Sequence, residues 1–367
     1  MYWRCEEMRF SIIVAFDNDF ELINNFLENL VLTTDLSKGE VIFVSDGCHD
    51  IRTLNYLKSY SEKNNRIILI EKEQRQGYSI SNNIGVNKSR GEYLIFINSD
   101  VLPTTGSIEK LVSVIETNED IGIVQGLLVY PQNRKVQSTG HLFFEYQNCH
   151  AYSGENADSV IVRKSGERQA LTTAFCAVRK EDFIKVGMFD EIYYNAFEGM
   201  EMSLKISHSG KKCFYCAEAV AFHIVGGSRD NIGFNNEIAA HIFWARWHDK
   251  ITEDIHKYLV PQINPHIVNQ TYFWIQASSM VGWDKILNKL TISTSGKIDI
   301  QDRFFKSIEL YRNLPFAFLE YPAPLIFTVD KVSVLQGNKK WIKDRNNPND
   351  LIIDSHGLLR YLSELAK

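Results

Sequence analysis

The sequence predicts an α/β fold in which helices cover both faces of a mostly parallel β-sheet. Short apolar runs rich in isoleucine and valine, such as "RFSIIVAF" at 9–16, are typical of buried strands. Segments with apolar residues at helical spacing follow these runs in regular alternation. Because the connections are short, the alternation favours a parallel sheet with helices on both sides. Ligands of such sheets bind at the carboxyl ends of the strands.

The first hundred residues supply the predicted strands and helices in strict order. The strands cover residues 9–16, 39–47, 65–73 and 91–100. The helices between them are the segments "DFELINNFLENLVLTT", "DIRTLNYLKSYSEK" and "SISNNIGVNKS". In the first helix the apolar residues recur at helical spacing, at Leu22, Ile23, Phe26, Leu27 and Leu30. We expect that face of the helix to pack on the sheet.

Beyond about residue 121 the pattern becomes mixed. The segments "IGIVQGLLVYP" and "KKCFYCAEAVAFH" are predicted strands, and "NAFEGMEMSLKISHSG" and "NEIAAHIFWARWHDKI" are predicted helices. Residues 268–367 mix helical and strand-like stretches without recognisable chemistry. We therefore expect an α/β domain at 1–250 and a C-terminal α+β extension of unknown role at 251–367.

The composition is that of an ordinary globular protein. Of 367 residues, 44% are hydrophobic and 23% are charged, and 40 basic against 45 acidic residues give a net charge of −5. Broad nucleic-acid binding is therefore not expected. The first residues, "MYWRCEEMRF", lack the apolar core of a secretory signal, and no apolar run reaches the roughly 18 residues of a membrane span. We expect a cytoplasmic protein.

Two local features bear on that location. Six cysteines in a chain of this length do not make a disulfide framework, and Cys213 and Cys216 are predicted to be buried thiols rather than zinc ligands. The basic run "NKKWIKDR" at 338–345 is interpreted as a solvated surface. The alternative is a patch for a charged acceptor or for anionic lipid, the latter with peripheral contact at the inner face of the membrane. Formation of a homo-oligomer is left open.

Polar residues follow three of the predicted strands at the point where each strand ends. These endings are "FDND" at 16–19, "SDGCHD" at 45–50 and "NSD" at 98–100. Acidic groups gathered at one edge repel each other unless a cation or a polar ligand lies among them. No GxGxxG motif follows the first strand and no Walker A lysine loop occurs, which argues against an NAD(P) oxidoreductase.

The order and spacing of these motifs resemble family 2 glycosyltransferases, whose fold is the GT-A type. The resemblance covers about residues 9–230. It rests on "FSIIVAFDND", on "VIFVSDGCHD", on "RQGYSISNNIGVNKSRGEYLIFINSD" and on "FEGMEMSLKISHSGKKCFYCAEAVAFHIVGGS". It implies an inverting, metal-dependent enzyme that moves a sugar from a nucleotide diphosphate to an acceptor hydroxyl. Synthesis of bacterial surface polysaccharide or glycoconjugate is the process it suggests.

The resemblance also implies a role for particular residues. Asp100 matches the second aspartate of the family's Asp-x-Asp motif and His223 its late histidine, so both are expected to hold Mn²⁺ or Mg²⁺. The expected donor is linked to UDP, dTDP or GDP, and the expected acceptor is a saccharide or a lipid-linked saccharide. The segment "GGS" at 226–228 could then close over the donor. The residues expected to bind the nucleotide are Asp17, Asp46, Arg75, Asn83 and Asn98.

The helix start "FEGMEMSL" departs from the family pattern. The family has Glu-Asp-x-Asp there and uses the aspartate after the first glutamate as the base, but here the pattern becomes Glu198, Gly199, Met200, Glu201. A capping box from Asn195 to Glu198 would explain one glutamate without catalysis, and a helical ion pair of Glu201 with Lys205 the other. Three possibilities remain open: Glu198 is the base, which we favour, Glu201 is the base, or the protein is a catalytically impaired subunit that retains the nucleotide pocket.

Overall fold

The computed structural model of the protein forms two compact units. One unit comprises Met1–His141 and Gly154–Ile251, and the other comprises Leu142–Ser153 and Thr252–Lys367. The structure describes residues 8–144, 147–224, 233–252, 254, 272–276, 304–306, 325–329, 339–348, 350–354 and 359–366. The predicted closing segment at 226–228 lies outside the described residues.

The first unit is built on a ten-stranded sheet with the order β10-β12-β6-β11-β4-β1-β2-β3. Its strands are β1 (Phe10–Phe16), β2 (Gly39–Ser45), β3 (Ile67–Ile70), β4 (Tyr93–Ile97), β5 (Val101–Pro103), β6 (Ile121–Val129), β7 (Val136–Ser138), β10 (Gly166–Arg168), β11 (Phe175–Arg179) and β12 (Lys212–His223). Strands β1 to β4 pair in parallel, whereas β11 runs antiparallel to both β4 and β6. Two short strands extend the sheet: β5 pairs with β12, and β7 pairs with β6. The mixed, mostly parallel α/β sheet of the prediction is confirmed.

Seven helices flank this sheet within the described part of the first unit. They are α1 (Phe20–Thr33), α2 (Ile51–Lys63), α3 (Tyr78–Lys88), α4 (Ser107–Thr117), α5 (Lys180–Lys185), α6 (Glu198–His208) and α7 (Gly233–Trp247). The acidic residues that end the first two strands also start helices. Asp19 accepts a hydrogen bond from Leu22 N at 3.1 Å and caps α1, and Asp50 caps α2 by accepting from Arg52 N at 3.0 Å.

The core lies on both faces of the sheet because successive side chains of a strand point to opposite sides. Ile12 and Val14 of β1 join one buried cluster. This cluster includes every residue of the predicted apolar face of α1 except Leu22. Ile13, between them, joins a second buried cluster with Val86 of α3 on the other face. Both faces of the central strands are therefore sealed from water, as expected for a parallel sheet.

The second unit contains a separate five-stranded sheet, and β8 (His141–Phe144) and β9 (Gln147–His150) pair as a two-stranded one. The larger sheet has the order β14-β13-β15-β16-β17, with parallel pairing except between β16 and β17. Its strands are β13 (Tyr272–Gln276), β14 (Phe304–Lys306), β15 (Leu325–Val329), β16 (Leu351–Asp354) and β17 (Leu359–Tyr361).

Most of the basic run at 338–345 forms a short helix, α8 (Lys339–Arg345). Trp341 and Ile342 are buried, and Arg345 is buried in an ion pair with Asp350. Lys339 and its neighbouring lysines are exposed. The aromatic side chain therefore packs inward while these lysines face outward. In the ranges that the structure describes, no helix combines the length and the apolarity that crossing a membrane requires.

The predicted capping box at the start of α6 is wrong. The residue before the helix is Phe197, which has a left-handed backbone with φ of 70° and makes no side-chain cap. This turn starts the helix at Glu198, so Asn195 lies too far upstream to cap it. The predicted pair of Glu201 with Lys205 is confirmed at 3.5 Å. Cys213 and Cys216 are buried free thiols on β12, as predicted.

Candidate active site

The strand order gathers the predicted polar residues at one edge of the sheet. Strand β1 lies between β2 and β4, and all three run in the same direction. Asp17 follows β1, Asp46 follows β2, and residues 98–100 follow β4. From β1 the chain first adds β2 and β3 on one side and then returns to place β4 on the other side. Open α/β sheets form a ligand crevice at the position where the strand order reverses in this way.

Asp46 is buried and its carboxylate is held by several donors. Its Oδ1 accepts from Lys72 Nζ at 2.7 Å, Gln76 N at 2.8 Å and Ser81 Oγ at 2.9 Å. Its Oδ2 accepts from Gly77 N at 3.0 Å. The aspartate thus fixes the loop between β3 and α3, and Lys72 supplies the charge that a buried carboxylate requires.

Asp17 and Arg75 meet above this loop. Arg75 Nη2 lies 3.0 Å from Asp17 Oδ2, with about four-tenths of the arginine side chain exposed. Asn18 holds the neighbouring turn, because its Oδ1 accepts from His49 N at 2.7 Å. Burial is the main cause that raises the pKa of Tyr194, whose phenol also lies within the field of Arg75, Asp46 and Asp17. These groups form one charged cluster at the ends of β1 and β2.

Asp100 and His223, the two residues predicted to hold a cation, lie side by side. Pairing of β5 with β12 places His223 opposite Val101, and His223 Nε2 is 3.2 Å from Asp100 Oδ1. On its other side, His223 Nδ1 is 2.6 Å from Gln137 Oε1. Since an amide oxygen only accepts, Nδ1 carries a proton and Nε2 presents its lone pair or a second proton to the carboxylate.

The two predicted asparagines lie in different surroundings. The backbone of Asn98 joins β11 through its N–H to Ala174 O, at 3.1 Å, and the residue is partly exposed beside Asp100. Asn83 is buried on α3, where its side chain donates to Phe189 O at 2.9 Å and accepts from Phe189 N at 3.2 Å. The Asn83 amide therefore holds the segment before α6 and does not join the cluster of Asp46 and Asp17.

Glu198 is the first residue of α6, and one of its carboxyl oxygens is isolated. Glu198 Oε2 is buried and makes no hydrogen bond to any residue that the structure describes. Burial raises the pKa of this carboxyl to about 7. The helix start favours its negative charge, but the cost of desolvation is larger. Such a group gains and loses a proton near neutral pH.

Gly199 is enclosed by the loop before β11. A Cβ placed on Gly199 would lie 2.9 Å from Thr173 Oγ1 and 3.0 Å from Thr173 N. An aspartate at this position would therefore overlap Thr173. Ala174, the next residue, bonds Asn98 through its backbone, so the loop that packs on the start of α6 also borders the "NSD" turn. The glycine is the residue that allows this close approach.

Glu201 is a buried anchor between α6 and α7. Its Oε1 accepts from Arg246 Nη1 at 3.0 Å and from Trp247 Nε1 at 3.2 Å. Arg246 also bonds Asp190 Oδ2 at 2.7 Å, which connects the segment before α6. Glu201 is only 2% exposed, and Lys205 Nζ lies 3.5 Å from its Oε2. These contacts hold α6 against α7.

Several residues that contact the predicted site residues were not identified from the sequence. These are Lys72, Gln137, Thr173, Tyr194 and Arg246. Lys72 lies two residues after β3, so a search of every strand end for charged residues would have found it. Gln137 and Thr173 carry no such signal, because long-range packing alone brings them to His223 and Gly199.

Comparison with known proteins agrees with this geometry. Residues 11–187 match the sequence model of the family described as "Glycosyl transferase family 2". This part of the chain belongs to family 2 of the glycosyltransferases. The matched residues thus contain the polar ends of β1, β2 and β4, including the "NSD" turn, while α6 and β12 follow them.

Relatives and solved structures extend the comparison. The chain is 25% identical over 232 residues to "Uncharacterized protein y4gI" of Sinorhizobium fredii, covering 60% of this chain and 25% of the relative. It is 24% identical over 230 residues to "O-antigen biosynthesis protein RfbC" of Myxococcus xanthus, covering 60% of this chain and 17% of the relative. The chain thus spans a quarter or less of these two relatives.

A solved structure shows the same fold. The crystal structure of GalNAc-T7 with UDP, GalNAc and Mn²⁺ superposes with a TM-score of 0.52 at 14% identity, over 79% of this chain and 55% of that one. The predicted GT-A fold, with its helix-flanked, mostly parallel sheet, is therefore confirmed.

Proposed function

We propose that the family 2 domain is an inverting, metal-dependent glycosyltransferase that moves a sugar from a nucleotide diphosphate to an acceptor hydroxyl. The observation that carries this proposal is the isolated Oε2 of Glu198 beside the glycine that replaces the usual base. A general base works best when its pKa lies near the working pH, and burial raises the pKa of Glu198 to about 7. The ends of β1, β2 and β4, which we call the donor edge, supply the remaining groups.

Asp100 and His223, at the ends of β4 and β12, are proposed as two of the ligands of a divalent cation. A metal-binding histidine commonly donates its second ring N–H to a carbonyl or carboxylate, and His223 does so to Gln137. Its Nε2 then faces the Asp100 carboxylate, which gives one imidazole and one carboxylate as ligands. Mn²⁺ accepts both ligand types. When bound there, the ion would offset the negative charge that builds on the leaving diphosphate.

Asp46, Asp17 and Arg75 are proposed to bind the nucleoside part of the donor. Asp17 follows β1 and Asp46 follows β2, so they are one and two strands away from the Asp100 end of β4. Arg75 lies beside Asp17. Adjacent strands are about 4.8 Å apart, so the base and the diphosphate would lie along the same edge. Arg75 would exchange its ion pair with Asp17 for a phosphate or ribose oxygen of the donor.

The proposed transfer is a single displacement. The acceptor hydroxyl gives its proton to Glu198 as its oxygen bonds to the anomeric carbon from the side opposite the diphosphate. The bond from that carbon to the diphosphate oxygen breaks, and the nucleoside diphosphate leaves with the electron pair. Glu201 keeps α6 in place through Arg246 and takes no proton.

The test is release of nucleotide from a panel of UDP-, dTDP- and GDP-sugars by the purified protein with Mn²⁺. At least one donor is expected to release its nucleotide, slowly with water and faster with a saccharide acceptor. Binding of a donor without release under any condition would instead support the impaired subunit, which retains the pocket and lacks a working base. Failure of every donor to bind would contradict both functions.

The process and the domain limits are part of the same proposal. A relative from Myxococcus xanthus is named for O-antigen biosynthesis, which supports a saccharide or lipid-linked saccharide as acceptor. The proposed catalytic domain comprises residues 1–250. The extension at 251–367 adds a sheet of its own, and we propose no chemistry for it.

A further inference from the structure

We propose that Tyr78 of α3 is a positioning residue for Glu198. Its phenol holds Thr173 against Gly199, and this contact keeps the carboxyl at the start of α6 in place and away from water. The inference deepens the proposed function and rests on it in one respect, namely that Glu198 takes the proton of the acceptor hydroxyl. Tyr78 itself touches no reacting atom in this scheme.

The loop before β11, residues 171–174, is held by the elements around it. Leu171 N donates to Ser203 Oγ of α6 at 3.0 Å, and Thr172 N donates to Gln125 Oε1 of β6 at 2.8 Å. Both acceptor side chains are fully buried. Because hydrogen bonds to buried side chains are costly to break, the loop has a fixed position relative to the sheet and to the first turns of α6.

Thr173 is the residue of this loop that meets the helix start. It is buried, and its N and Oγ1 leave no room for a Cβ at Gly199. Its carbonyl oxygen accepts a hydrogen bond from the Tyr78 hydroxyl at 3.1 Å. Tyr78 thus supplies the bond that joins α3 to the contact between the loop and α6.

Tyr78 is itself anchored to the segment before α6. Tyr78 N donates to Tyr194 O at 2.7 Å, and its ring packs edge-on against Phe189 with 5.7 Å between the ring centroids. Burial is the main cause that raises the pKa of the Tyr78 phenol, and the fields of Cys176 and Glu198 contribute to the rise. The phenol therefore lies close enough to Glu198 to sense its charge.

Glu198 titrates near neutral pH, and the titratable groups around it do not. Burial raises the pKa of the Tyr78 phenol and of the Cys176 thiol, so both stay neutral at pH 5 to 8. Glu201, one turn along α6, is paired with Arg246. Burial raises the pKa of Glu198 to about 7. Access of water to its carboxyl would favour the charged form and lower this pKa.

Loss of the Tyr78 hydroxyl would open this contact. The carbonyl of Thr173 would lose its hydrogen bond, and a buried carbonyl without a partner recruits water where there is room for it. Water beside Glu198 would stabilise the carboxylate, and a freed loop would let the helix start shift. A base of lower pKa accepts a proton less readily, and a displacement of about 1 Å can slow a reaction by about 100-fold. Tyr78→Phe should therefore slow transfer without removing a group of the donor edge.

The first experiment needs no substrate. The free energy of unfolding of the full chain is measured in urea at pH 5 and pH 8 for wild type, Glu198→Gln, Tyr78→Phe and the double variant. At pH 8 the buried carboxylate destabilises the wild type, so Glu198→Gln should be more stable there, with little difference at pH 5. In the Tyr78→Phe background this advantage at pH 8 should fall by about half or more, because hydration lowers the pKa of Glu198. An equal advantage in both backgrounds would overturn the inference.

Tyr215→Phe is the matched control. Tyr215 is fully buried, and its hydroxyl also donates to a backbone carbonyl, Val162 O, at 2.8 Å. Its loss should leave the advantage of Glu198→Gln at pH 8 unchanged. An equal reduction by the control would show a general loss of packing and would contradict the inference. Should Tyr78→Phe fail to fold, Thr173→Ser takes its place, because the lost methyl group loosens the same contact. An unchanged advantage in that variant would then decide against the inference.

The second experiment measures nucleotide release from UDP-, dTDP- and GDP-sugars with Mn²⁺ and a saccharide acceptor between pH 5 and pH 9. For each donor that the wild type uses, Tyr78→Phe should lower kcat by about tenfold or more and keep the KM of the donor within about twofold. The midpoint of its pH profile should move to lower pH, whereas Tyr215→Phe should keep the midpoint of the wild type. An unchanged midpoint and kcat in Tyr78→Phe would contradict the inference and leave the proposed function standing. If no donor is turned over, the proposed function fails, and the stability measurement shows separately whether Tyr78 shields the carboxyl.

Discussion

The donor edge and the start of α6 treat their carboxylates in opposite ways. At the ends of β1, β2 and β4, Asp17, Asp46 and Asp100 each face a cationic or titratable partner, and Oδ1 of Asp46 accepts three hydrogen bonds. At the start of α6, Glu198 holds a buried oxygen for which the described residues provide no hydrogen bond. The first arrangement gives fixed geometry, and the second gives a group that can still take up a proton. A transferase requires both, in different places.

The largest change in activity is expected from Glu198→Gln, which tests the contrast directly. The amide keeps the size of the side chain but cannot accept a proton, so transfer should fall by about 10²- to 10⁴-fold. Donor binding should stay within about twofold, because the donor edge is untouched; calorimetry and a transfer assay measure the two quantities separately. If Glu201→Gln lost transfer with intact stability and Glu198→Gln did not, the roles assigned to the two glutamates would be exchanged.

A second effect is expected on stability from Arg246→Met. This change leaves Glu201 buried without its main cationic partner, and hydrogen bonds to charged groups contribute about 1.5–3 kcal/mol. The free energy of unfolding, measured in urea, should fall by about 2 kcal/mol. Arg52→Met is the control, because its pair with Glu21 is exposed and should contribute less than about 1 kcal/mol. A loss no larger than that of the control would show that the α6–α7 anchor is weak.

A third effect concerns Gly199. Gly199→Ala places a Cβ against Thr173 and should cost about 1–3 kcal/mol of stability, as overpacking commonly does. Gly199→Asp, which restores the family's base, should be no more active than wild type, because the same overlap displaces the helix start. Melting temperatures and transfer rates check both. Activity above wild type in Gly199→Asp would show that Thr173 yields and that the glycine is a true loss of function.

A further test sharpens the contrast through pH. Burial raises the folded-state pKa of Glu198 to about 7, above its ordinary value of 4.5, so the folded protein holds this proton more tightly. The stability contribution is present at acid pH and is lost as pH rises toward 7. Glu198→Gln should therefore be more stable than wild type at pH 8 and close to it at pH 4. The base must be deprotonated to act, so transfer should rise with pH up to about 7. Equal melting temperatures at pH 8 would contradict the raised pKa.

Sequence patterns predicted the strands and helices of the first unit but few of the side-chain contacts between them. The apolar runs and the helical spacing identified the strands and helices of the first unit because periodicity and burial are local signals. The family resemblance predicted that Asp100 and His223 act together, and the two side chains lie side by side in the structure. Of the partners of Glu201, Lys205 was predicted but Arg246 and Trp247 of α7 were not. The partners of Asp46 were not predicted either, since packing brings them from the loop after β3 and from α3. The capping box at Asn195 failed because the left-handed turn at Phe197 is invisible in the motif.

The pairing of β5 with β12 has a consequence for how the protein folds. It joins Asp100 to His223, which lie more than a hundred residues apart along the chain. Contacts between such distant segments form late, since closing a long loop costs entropy before the contact repays it. The two proposed cation ligands thus become neighbours only once the sheet is nearly complete. Manganese would then bind the finished domain in preference to any partly folded form, and its uptake during refolding would mark the final stage of assembly.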